Sequence, residues 1–187
     1  GSGLVRLSSV KRLGMTDAVL FDCDGVLIDS HASYDRAIEM TLAYFLSRIF
    51  GLEMNPQFPI SKFVECLRRT GQFNNDIDTT AAILVSIVVN LGTRLTTGRN
   101  GSSRISTLKE KLDSTLGRAV EELREEFDSE AFVSSALALL ETASQGFVKF
   151  VQAVEARSPN LAPYIDELLG RLSYPGTPST SLLCRVF

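Results

Sequence analysis

The chain has 187 residues, 19 basic against 22 acidic side chains, a net charge of −3 and 44% hydrophobic content. That apolar content excludes intrinsic disorder, and the acidic balance excludes a nucleic-acid binder driven by bulk positive charge. The length suits one domain, or a small domain carrying an insertion.

Gly1-Ser2-Gly3 reads as an expression scar, and residues 1–14 as a basic, irregular leader or tag ahead of Met15. Residues 15–30 hold the first convincing element. Ala18-Val19-Leu20-Phe21 is a short apolar run closed by Asp22-Cys23-Asp24-Gly25, the pattern of a buried parallel strand and its turn. Ser30 or Ser33 then caps a helix to Phe50, with Ala37, Ile38, Leu42, Phe45, Leu46 and Ile49 at spacings of three and four and Gly51 as its stop. Residues 55–59 form a loop, and Ser61 caps a short helix through Arg69 that Gly71 closes. A polar knot follows over residues 72–78.

Residues 81–91 are strongly apolar. Their β-branched side chains favour a strand, their length and Ala81-Ala82 favour a buried helix, and helix is the reading taken. This is the longest apolar run, and it falls short of the ~20 residues that a membrane span needs, so no membrane partner is expected. Residues 93–107, with Arg94, Arg99 and Arg104, read as a flexible basic loop. Leu108, Leu112, Leu116, Val120, Leu123 and Phe127 mark a long amphipathic helix, and further helices are expected over residues 129–142, 145–156 and 163–172. Tyr174-Pro175-Gly176-Thr177-Pro178 breaks the pattern.

Cys23, Cys66 and Cys184 are widely spaced and lack CxxC spacing, which argues against a zinc site or disulfide framework and for a reducing cytoplasm. His31 is the one histidine, so a multi-histidine metal site is excluded.

The chemistry concentrates in Phe21-Asp22-Cys23-Asp24-Gly25-Val26-Leu27-Ile28-Asp29-Ser30. Two carboxylates two residues apart stand where a strand ends, the place where open α/β sheets put their ligands. Such a pair binds a hard cation such as Mg²⁺ through oxygen, or divides labour between nucleophile and proton shuttle. An EF-hand loop fails as the competing reading, because Gly25 follows the second aspartate directly.

DxDGVLxDS after an apolar strand resembles motif I of the haloacid dehalogenase (HAD) superfamily of phosphohydrolases. The resemblance implies an α/β, Rossmann-like core with a large α-helical cap, mostly α by content here. It implies Asp22 as nucleophile forming an aspartyl-phosphate and Asp24 as acid and base. Mg²⁺ would be held by the Asp22 carboxylate and the Asp24 carbonyl, and a small phosphorylated metabolite would be the substrate. The helices after the motif resemble a cap over residues 31–174, with residues 175–187 returning towards the core. The segment Gly71-Gln72-Phe73-Asn74-Asn75-Asp76-Ile77-Asp78 is similar to a cap segment of an archaeal and bacterial HAD subfamily related by name to imidazoleglycerol-phosphate dehydratase. It makes Asn74, Asn75 and Asp78 candidates for the substrate side of the cap, beside their other reading as capping and turn residues.

A complete HAD site also needs a Ser or Thr, a Lys and an acidic pair from later strands. Neither DD nor GDxxxD occurs in that context; Thr96, Thr97, Lys149 and Asp166-Glu167 are available but follow no persuasive strand. The expectation is motif I plus a cap with the second half of the core missing, inactive as this truncated chain. A non-catalytic helical module, or a homodimer, is the alternative.

Overall fold

Helical spacing in the sequence becomes helix wherever it is described. The computed structural model describes Leu27 and residues 31–54, 58–97 and 129–187. These residues form seven helices: α1 (His31–Phe50), α2 (Ile60–Arg69), α3 (Asp76–Thr97), α4 (Glu130–Leu140), α5 (Phe147–Arg157), α6 (Ala162–Leu172) and α7 (Leu182–Val186). There is no strand among the described residues. The expected strand at 18–21, the rest of the basic loop beyond Thr97 and the stripe at 108–127 lie outside them. The chain divides into two units, Gly1–Ser33 and Tyr34–Phe187.

In α1 the buried side chains Ile38, Leu42, Phe45 and Leu46 lie on one face, as their spacing requires. Gly51 ends the helix at φ 63°, and its N–H donates to Ser47 O while Leu52 N–H reaches back to Leu46 O at 3.2 Å. This is an αL ending, in which the N–H of a left-handed residue satisfies a carbonyl that the helix leaves open. Helix α2 buries Ile60, Phe63, Val64 and Leu67. Ser61 is not its cap: Pro59 holds that position without a side-chain bond, so Ser61 sits inside the first turn.

Helix α3 resolves the strand-or-helix ambiguity. Asn75 Oδ1 accepts from Ile77 N–H at 2.9 Å, and Asp76 and Asp78 place negative charge in the first turn, where the helix dipole favours it. Every residue from Thr79 to Ile87 is buried. A helix apolar on all sides is one surrounded by others, and α3 packs against α2, α4, α5, α6 and α7. The helix runs on through Thr97, five residues into the stretch expected to be loop. Gly92 allows this end to approach Leu161, since a Cβ there would stand 2.9 Å from Leu161 Cδ2.

The window Asp76–Thr93 has a mean hydropathy of 1.3 and is long and apolar enough for a membrane span, which counting residues 81–91 alone had missed. But 72% of it is buried among the other helices, as in a core helix. Its polar groups are satisfied there: Ser86 Oγ donates to Ala136 O at 2.8 Å, Asn90 Nδ2 to Ser86 O at 3.0 Å, and Ser135 Oγ to Asn90 Oδ1 at 2.5 Å.

Ser129 caps α4 by accepting from Phe132 N–H, and Pro163 stands in the first turn of α6. After the break at residues 173–180, Ser181 is fully buried, accepts from Cys184 N–H and donates to Leu172 O at 3.2 Å. It starts α7, whose Leu183 is buried and which packs on α3 and α6. Residues 175–187 thus belong to the helical unit.

Candidate functional site

Asp22 and Asp24 lie outside the described residues, as do Cys23 and Gly25. The described part of the candidate site is the start of α3 and what gathers there. Asn74 is exposed. Asn75, also exposed, spends its side-chain oxygen on the cap of α3. Asp78, in the first turn of the helix, is half-buried and accepts a hydrogen bond from the hydroxyl of Tyr174, 96 residues on. Burial pushes the Asp78 carboxyl above the ordinary aspartate range. Tyr174 is buried, with its ring edge-on to Phe147 at 5.3 Å, so the phenol is held from both ends.

Sequence reasoning missed Arg68. Its Nη2 lies 2.8 Å from Asp35 Oδ1 and 3.5 Å from Asp76 Oδ1, tying the start of α1 to the start of α3 through α2. Asp35 Oδ1 is shut off from water and meets the guanidinium as an ion pair without hydrogen-bond alignment. No local pattern announces such a bridge, because Arg68 stands 33 residues after Asp35 and eight before Asp76, each on a different helix. Asp35 and Asp76 thus share the Arg68 guanidinium, while Asp78 faces the Tyr174 hydroxyl.

An open groove of about 530 Å³ lies between α2 and α4, walled by Lys62, Glu65, Cys66, Arg69, Thr70, Leu137 and Glu141. Burial raises the Cys66 thiol above its ordinary range, the charge of Glu141 adds to that, and Arg69 opposes it. The thiol therefore stays protonated at neutral pH and is a poor nucleophile. Arg69 is itself paired with Glu65 at 2.5 Å.

The remaining candidates from the sequence are dispersed. Thr96 and Thr97 fall in the last turn of α3, Lys149 is exposed in the first turn of α5, and Asp166 and Glu167 lie within α6. None follows a described strand. Among the described residues no group of three or more His, Cys, Asp or Glu side chains is placed to hold a metal ion.

No family model, curated protein or solved structure matches this chain.

Proposed function

We propose that the chain carries the nucleophile segment and helical cap of a HAD-like phosphatase acting on a small phosphorylated metabolite. The observation that carries this reading is the sequence from Phe21 to Ser30, in which Asp22 and Asp24 follow an apolar run and precede Gly25 and a long helix. The helical remainder after that segment suits a cap inserted there. In the proposed chemistry an Asp22 oxygen attacks phosphorus, the ester P–O bond breaks, and Asp24 gives its proton to the leaving oxygen. Asp24 then takes a proton from the water that attacks the aspartyl-phosphate, releasing phosphate and restoring Asp22. Mg²⁺, held by the Asp22 carboxylate and the Asp24 carbonyl, would offset the repulsion between phosphate and two carboxylates. Asn74, Asn75 and Asp78 would face the organic part of the substrate. A reducing cytoplasm is the proposed setting for a chain whose Cys66 and Cys184 are free thiols.

The residues that would complete such a site are not legible in this chain, so turnover is expected to be slow or absent. Capture of the intermediate is the sharper test. Incubation with acetyl phosphate and Mg²⁺ should give a hydroxylamine-labile phosphoryl adduct on Asp22, found by peptide mass spectrometry and lost in Asp22→Asn. An unmodified Asp22 peptide under those conditions overturns the reading.

The second reading, a non-catalytic helical module or homodimer, is favoured by one observation. On α1, Met40 is 60% and Tyr44 43% exposed, one turn apart, on a helix whose opposite face is buried. Light scattering decides it: a monomer across micromolar concentrations removes the homodimer.

A further inference from the structure

We draw no further inference here: the strongest candidate, the open groove between α2 and α4 walled by Lys62, Cys66, Arg69 and Glu141, offers a single cysteine beside an arginine already paired with Glu65, and nothing in the structure shows what fills it.

Discussion

Tyr174 and Asp78 meet through one phenol hydroxyl across 96 residues of chain, so deleting that hydroxyl tests the contact with little change in packing. Tyr174→Phe keeps the ring against Phe147 and leaves a half-buried carboxylate without its donor. The expected cost is about 1 kcal/mol, read as a lower denaturant midpoint. The pH dependence has a definite sign. Burial raises the Asp78 carboxyl in the folded state, so the fold binds a proton there more readily than the unfolded chain does. Its contribution is full below the unfolded value of about 3.9 and is lost as pH rises through the raised folded value. Relative to Asp78→Asn, the parent chain should therefore gain stability on acidification through that window; a constant difference from pH 7 to pH 3 refutes the assignment. The two neighbouring asparagines separate cap from surface. Asn75→Ala removes the oxygen that accepts from Ile77 N–H and should cost about 1 kcal/mol. Asn74→Ala, at an exposed position, should stay within about 0.5 kcal/mol. Equal losses would mean that Asn74 also supports the start of the helix.

At the scale of elements, the seam between α3 and α4 is where polar groups are buried and paired. Asn90 links Ser86 on its own helix to Ser135 on the other, and Ser86 reaches Ala136 O. Asn90→Ala and Ser135→Ala each break the same bond. Their effects should overlap, with the double variant costing less than the sum by about 0.5 to 2 kcal/mol in urea unfolding. Strict additivity would show that the Ser135–Asn90 bond carries no coupling. This seam also marks the limit of what the sequence discloses. Periodicity placed α1, α4, α5 and α6, because each shows one apolar stripe and a local stop or cap, such as Gly51 or Ser129. It left α3 ambiguous, because a helix surrounded on every side has no stripe, and it missed α7, because five residues are too few for one. Among the candidate site residues, Asn75 was legible from local capping chemistry. Arg68 and Tyr174 were not, because their partners are chosen by packing between distant elements.

At the scale of the whole molecule, the described helices gather on α3, which packs against α2, α4, α5, α6 and α7. This arrangement sits within the unit from Tyr34 to Phe187, while the proposed nucleophile belongs to the unit from Gly1 to Ser33. The buried apolar residues from Ile38 to Leu183 form one cluster that draws on α1 through α7. Burial of each large side chain in it is worth about 1.5–3 kcal/mol, which makes the cluster the source of the unit's stability. A chain beginning at Ser30 keeps all seven helices and should unfold cooperatively. Its Tm should lie within about 4 °C of the full chain, the shift that roughly 1 kcal/mol produces at this size. Circular dichroism melts of the two chains make the comparison directly. Loss of the cooperative transition would mean that residues 1–29 supply part of the core. A retained transition separates the two questions that the sequence raises. Asp22→Asn should then leave the melt of the full chain unchanged while abolishing the phosphoryl adduct, so that loss of the adduct reports chemistry and not unfolding.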